Sequence, residues 1–183
     1  MGGGVYLIDA PGAQVIANAF NQNIATSAGP VGLGGGIFVM QAQGLVLLEN
    51  QFGANAASTS PVIEQPSVGG GVYVRASDGI TITNNQFKRN LGALYTGGVG
   101  GAAYLYQLTG AAIQDNQFTA NWGGTYQNAL VLGGAIGLGD VRKLDLSGNA
   151  FTENIAGLDL VSRGSALGGV IFAEKVSDVR IGA

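Results

Sequence analysis

Two carboxylates invite the first chemical reading of this chain. Glu49 and Asp115 occupy the same place in an internal repeat, two units apart. Stacked at about 4.8 Å per unit, they would stand roughly 10 Å from each other. That is near the upper edge of the ~6.5–9.5 Å at which an inverting glycosidase holds its general acid and general base. The same column holds Ala17, Asn84 and Gly148, so neither a third carboxylate nor a cation supports the pair. The chain has no His and no Cys, which removes the commonest general base, the commonest metal ligand and the thiol nucleophile together. Asp9, Asp140 and Glu174 fall near another corner, and only the last two lie in adjacent units. Nucleotide loops, zinc spacings, nucleophile elbows and calcium nonapeptides are missing. The expectation is therefore no catalytic residue, no metal and no cofactor, with the carboxylates acting as turn residues.

A second set of residues could bind rather than react. One column reads Tyr6, Phe38, Tyr73, Tyr104, Gly137, Phe172. It lies between two apolar columns, so alternation points it outward. An outward aromatic ladder is covered by the protein's own loops, packed against a partner molecule, or used to stack sugars. Alternatively this column faces inward and its neighbours face out, which the small residues Gly71, Ala102 and Ala135 would accommodate. Tyr6, Phe38, Tyr73, Tyr104 and Phe172 are the candidate ligand-binding residues.

These residues are placed by a repeat of fixed internal geometry. Asn, any residue, Phe, two residues, Asn occurs five times: Asn18, Phe20 and Asn23; Asn50, Phe52 and Asn55; Asn85, Phe87 and Asn90; Asn116, Phe118 and Asn121; Asn149, Phe151 and Asn154. Each copy begins 16 residues after a Gly-Gly pair starting at Gly2, Gly34, Gly69, Gly100 or Gly133, and a sixth pair starts at Gly168. The pairs themselves are 32, 35, 31, 33 and 35 residues apart. A constant inner distance within a variable period means a rigid unit with one elastic corner. Three residues past the first Gly stand Val5, Ile37, Val72, Ala103, Ile136 and Ile171, and five past stand Leu7, Val39, Val74, Leu105, Leu138 and Ala173. Eleven past stand Ala13, Leu45, Ile80, Ala111, Leu144 and Val179, and thirteen past stand Val15, Leu47, Ile82, Ile113, Leu146 and Ile181. Between these last two, Gln14, Val46, Thr81, Ala112, Asp145 and Arg180 mark an outward position. Period-two alternation without helical spacing predicts strands. The variable segments 26–32, 58–67, 93–98, 124–131 and 157–166 carry three of the four prolines and read as loops. Units of this size, each unable to bury its apolar face alone, predict one all-β domain over residues 1–183: a single-stranded parallel β-helix of about five and a half coils. Within it the Phe residues form an internal stack, and the Asn residues form amide ladders at the turns.

Composition narrows the partners. Charged residues make up 10% of the chain and the net charge is −3, which argues against nucleic acid or an anionic membrane. Lys88-Arg89 and Arg142-Lys143 read as solvated turn pairs. Nothing in the sequence is long and apolar enough for a transmembrane helix. Met1 stands directly before a Gly pair, and Ile181-Gly182-Ala183 falls part-way through a sixth unit, so the chain reads as a piece of a longer repeat protein.

Gly133-Gly134-Ala135-Ile136, Gly100-Gly101-Ala102-Ala103 and the five Phe-x-x-Asn tetrapeptides resemble the repeats of chlamydial polymorphic outer-membrane proteins. Those belong among the right-handed parallel β-helix passengers of autotransporters. The resemblance implies a right-handed coil and an extracellular or bacterial outer-surface location. It also implies a structural and adhesive role towards a host or neighbouring-cell surface protein or glycan. Departures are the Gly-Gly-Gly form of most first motifs, the lack of cysteines and the lack of a C-terminal barrel in this sequence. The expected function is thus a non-catalytic segment that presents variable corner loops for binding. The alternatives are an extracellular fibre subunit that self-associates end to end and a polysaccharide-active lyase or hydrolase.

Overall fold

The Gly-pair columns become strand registers. In the computed structural model, which describes residues 2–62, 66–95, 97–124, 130–157 and 165–182, every strand pair is parallel and joins one repeat to the next. Val5 pairs with Ile37, Ile37 with Val72, Val72 with Ala103, Ala103 with Ile136, and Ile136 with Ile171. The first wall stacks Val5–Ile8, Ile37–Met40, Val72–Arg75, Ala103–Gln114, Ile136–Ser147 and Ile171–Glu174. In the fourth and fifth coils the strand runs on through the next corner, so two walls merge into one 10-stranded sheet. The Phe-bearing strands, Ala19–Asn21 to Ala150–Thr152, form a second sheet, and Ile24–Thr26 to Ile155–Gly157 form a third.

A fourth sheet departs from the loop reading. Ser67–Val68, Gly98–Val99, Leu130–Leu132 and Ser165–Leu167 pair in parallel across the ends of segments of different length. The apolar residues Val68, Val99, Leu132 and Leu167 before the Gly pairs are thus strand residues, and Leu33 makes a single parallel bridge to Val68. Residues 63–65, 96, 125–129 and 158–164 of the variable segments lie outside the described residues.

Corners are made by left-handed residues at constant positions. The first Gly of every pair has φ between +37° and +65°. Its neighbour is glycine for a different reason: a Cβ on Gly70 would collide with the backbone of Leu91 across the coil and of Gly101 in the next. Left-handed residues recur just before each Asn, as in Glu49 and Arg89, both at φ +57°. Such φ values are unfavourable for L-residues by roughly 1–2 kcal/mol each, so the stacked coil must repay them.

The interior repays them in two ways. Phe52, Phe87 and Phe118 are fully buried and stack at 4.8 Å with interplanar angles of 4–5°. Phe20 and Phe151 extend the stack at 5.1 and 4.9 Å and are half-buried. Ile37, Val39, Leu45, Leu47 and their counterparts complete a single core along the axis. Beside it run two amide ladders. The Asn85 Oδ1 accepts from the backbone N–H of Asn50 at 2.8 Å and from its Nδ2 at 3.0 Å, while the Asn50 Nδ2 also donates to the Val15 carbonyl of the coil before. The ladder through Asn23, Asn55, Asn90, Asn121 and Asn154 repeats that pattern. A backbone N–H that the corner turns away from the sheet is thereby satisfied inside the protein.

Candidate functional site

The aromatic column lies outside the main core yet is largely covered. The inward neighbours on each side, Val72 and Val74 in the third coil, are fully buried, which leaves Tyr73 on the opposite face of the strand. There Phe38 and Tyr73, 3% and 5% exposed, pack against Val68 and Val99 of the fourth sheet, with Leu33, Met40, Tyr104, Tyr106 and Leu132 around them. A second, smaller apolar core thus fills the angle between the first and fourth sheets. The rings continue from coil to coil: Tyr6 to Phe38 at 4.9 Å, Phe38 to Tyr73 at 5.3 Å, Tyr73 to Tyr104 at 5.6 Å. Tyr6 is 45% exposed, and Tyr104 and Phe172 are half-buried.

In the fifth coil the column is interrupted. Gly137 replaces the aromatic, and Gly139, two residues on, replaces the side chain carried elsewhere by Ile8, Met40, Arg75, Tyr106 and Glu174. Beside this strand lies a cleft of about 230 Å³, lined by Tyr104, Tyr106, Asp140, Phe172, Glu174 and Lys175 together with Val99, Leu132 and Leu138. Tyr104 and Tyr106 face it as a near-parallel pair with centroids 6.1 Å apart. The Arg75 guanidinium lies 5.6 Å from the Tyr106 ring centroid, and its Nε donates to Gln107 Oε1 at 3.4 Å. Burial pushes the Tyr104 phenol up to about 12, and the nearby Tyr73, Tyr106 and Glu174 add to the shift. Burial also raises Tyr73, opposed by the charge of Arg75. Both phenols remain protonated donors through the neutral range.

The carboxylates do not assemble a comparable site. Glu49 and Asp115 are exposed corner residues, and the Asp115 carboxylate lies over Gly148 of the following coil. Asp140 and Glu174 both line the cleft, where Lys175 pairs with Glu174 at 3.7 Å in an exposed pair. The corner after the first wall gathers Asp140, Arg142, Lys143, Lys175 and Asp178 around one shallow depression, and Asp78, Asp140 and Arg142 around another. These residues are scattered in sequence, and the register of adjacent coils brings them together. Within the second depression Asp78 Oδ1 accepts from the Thr109 N–H at 2.7 Å, which ties that carboxylate to the corner backbone. Among the described residues, no group of three or more acidic or sulfur-bearing side chains could hold a metal ion.

Sequence reasoning named Tyr104 and Phe172 but missed Tyr106, Gly139, Asp140, Glu174 and Lys175 as parts of one cleft. The available signal was the break at Gly137 in an otherwise aromatic column. A further outward column, Ile24, Ala56, Leu91, Trp122 and Ile155, runs along the third sheet, with Ile24 and Trp122 exposed.

No curated protein sequence matches the chain. The family described as right handed beta helix region matches residues 1–173, nearly the whole length. That match agrees with parallel walls, one-coil registers and an axial core; the chain belongs to the right-handed β-helix region family.

Proposed function

We propose that the chain is a non-catalytic structural and adhesive segment of a bacterial surface or secreted protein, in which a stiff coil displays variable surface for binding. Membership of the family fixes the fold and not the chemistry, since the family holds both structural proteins and polysaccharide-active enzymes. The observation that carries the reading is where the recurrent polar residues go. The Asn amides, the most repeated polar groups of the chain, are engaged with one another and with backbone carbonyls between coils. What varies between coils lies elsewhere: the segments before the fourth sheet, where Val62 and Tyr95 are exposed, and the outward positions beside the aromatic column. Loops on a rigid scaffold are the usual place for binding.

The test is a chimera in which segments 26–32, 58–67, 93–98, 124–131 and 157–166 are permuted among the coils. Host-cell and glycan-array binding should fall at least tenfold while the far-UV spectrum and unfolding midpoint hold. Binding that survives permutation overturns loop-based adhesion. Turnover on a polysaccharide panel, abolished by Glu49→Ala, would overturn the non-catalytic reading.

A further inference from the structure

The corner after the first wall concentrates charge in a chain that has little of it. Charged residues make up 10% of the sequence, yet Asp78, Asp140, Asp178, Arg142, Lys143 and Lys175 line two depressions on this one corner. Thr109, Asp140 and Arg142 border both, so the two form one groove across the third to sixth coils. The charges in it are not spent on each other. Among the described residues, the one ion pair that any of the six makes ties Lys175 to Glu174 of its own coil, at 3.7 Å.

The repeat explains the shape. Ala76 stands on the floor where other coils carry Asp9, Gln41 or Gln107, and Gly79 and Gly110 leave the next left-handed corner position bare. In the fifth and sixth coils that same position holds Lys143 and Asp178, both at φ +55°, a backbone that glycine adopts at less cost. Packing asks for no side chain there, since a Cβ on Gly79 would meet nothing within 4 Å. Opposite charges are also held apart. Asp78 Oδ1 accepts from the Thr109 N–H at 2.7 Å, which draws the carboxylate of the third coil to the level of the fourth. Arg142 pairs in register with Thr109 from the fifth coil, about 4.8 Å further along the axis.

The balance of signs selects the ligand. Three cations alone would suit a bare oxyanion, but three carboxylates share the groove, so its lining is neutral and its occupant must carry both signs. One guanidinium fork satisfies a carboxylate. Arg142 and Lys143, with the Ser177 and Thr109 hydroxyls beside them, suit an oxyanion with more acceptor oxygens. At the other end Asp78 and Asp140 offer acceptors to the N–H donors of a primary ammonium.

From this geometry we propose that the corner groove binds a phosphoethanolamine group, in which a phosphodiester and a primary ammonium share one short chain. The phosphate oxygens accept from Arg142, Lys143 and Ser177, and the ammonium donates to Asp78 and Asp140. The site goes beyond loop-based adhesion, because every residue in it belongs to the constant part of the coil.

The experiment titrates the full chain with glycerophosphoethanolamine, following the amide resonances of Thr109 and Lys143 by NMR. Saturable shifts are expected. Inorganic phosphate, and glycerophosphocholine, whose quaternary ammonium has no N–H to donate, should each bind about fivefold more weakly, as loss of an exposed ion pair allows. Asp78→Asn keeps an acceptor for the Thr109 N–H and should erase the preference for ethanolamine over choline. Arg142→Gln should weaken both esters about fivefold. Both side chains are exposed, so the core is left alone. Vesicles separate the sources of the group: sedimentation with phosphatidylethanolamine in phosphatidylcholine, and not with phosphatidylcholine alone, identifies a lipid headgroup, whereas ester binding without sedimentation identifies the group outside a bilayer. Absence of saturable shifts, equal affinity for inorganic phosphate, or shifts that both variants leave unchanged overturns the assignment. The permuted-loop chimera should keep the ester, and a folded chimera that loses it overturns the corner as the site.

Discussion

Replacing Asn85 with alanine isolates what an amide ladder contributes. Asn85 is buried, and its Oδ1 is the acceptor for the backbone N–H of Asn50 at 2.8 Å. Its Nδ2 donates to the carbonyls of Leu47 and Thr83 at 2.9 Å and to Asn116 Oδ1 at 3.0 Å. Most of these partners keep a second bond. Thr83 O still receives the Glu49 N–H, Asn116 Oδ1 still receives the Asn85 N–H, and the Asn50 Nδ2 still reaches Val15 O. The buried Asn50 N–H is left facing the new methyl group, and an orphaned buried donor costs about 1–3 kcal/mol. With the weakened side-chain bonds, Asn85→Ala should lose about 2–4 kcal/mol in urea unfolding. The adjacent exposed Gln86→Ala should stay within ~0.5 kcal/mol. Hydrogen exchange locates the defect, because the Asn50 amide should lose protection more than amides two coils away. A loss under about 1 kcal/mol, or unchanged exchange at Asn50, would refute the ladder as a backbone-satisfying device. Asn85→Asp sharpens the argument, since it keeps the acceptor and removes the donor. Burial raises the introduced carboxyl above its ordinary ~3.9, so the deficit should grow as pH rises through and above that value.

Phe87 stacks at 4.8 Å on both sides and is 1% exposed; Phe87→Ala should cost about 3–5 kcal/mol, and a denaturation loss below ~1 kcal/mol would contradict an internal ring stack. Tyr104 should titrate near 12 in an ultraviolet difference titration. Because its folded pKa is raised, its contribution to stability is complete below the unfolded value of about 10 and lost as pH rises from there through about 12; a Tyr104→Phe variant should lack that alkaline loss. Gly70→Ala and Gly79→Ala should differ by cause: the first puts a Cβ into the Leu91 and Gly101 backbones, while the second meets nothing within 4 Å at φ +64°. Thermal unfolding should show a penalty of ~3 kcal/mol or more for Gly70 and about 1 kcal/mol for Gly79, and equal penalties would refute the close approach of opposite walls.

The coil was legible because its columns repeat at constant spacing, and stacking turns a repeated position into a physical column. Val5, Ile37, Val72, Ala103, Ile136 and Ile171 needed no third dimension to be aligned. The corners were half legible. Asn18, Asn50 and Asn85 announced a turn, but the left-handed residue is the one before each Asn, and in that column only Asn84, Asp115 and Gly148 favour such a backbone, whereas Ala17 and Glu49 do not. There the stacked coil imposes a conformation that local preference opposes.

Side-chain exposure was the least legible quantity, and for a reason that also explains the cleft. Alternation placed Tyr73 away from the main core, yet whether it met water depended on Val68 and Val99, which lie beyond segments of unequal length. Sequence distance there carries no geometric information, because the loop absorbs it before the next Gly pair restores the register. Gly137 and Gly139 were harder still, since in a chain so rich in glycine two more look like the repeat itself. Their meaning appears only across coils, where Tyr104 and Tyr106 stand on one side and Phe172 and Glu174 on the other. A residue that is present can be recognised from its own chemistry. An omitted side chain acquires meaning only from the neighbours that register supplies, and in a solenoid those neighbours are one full coil away.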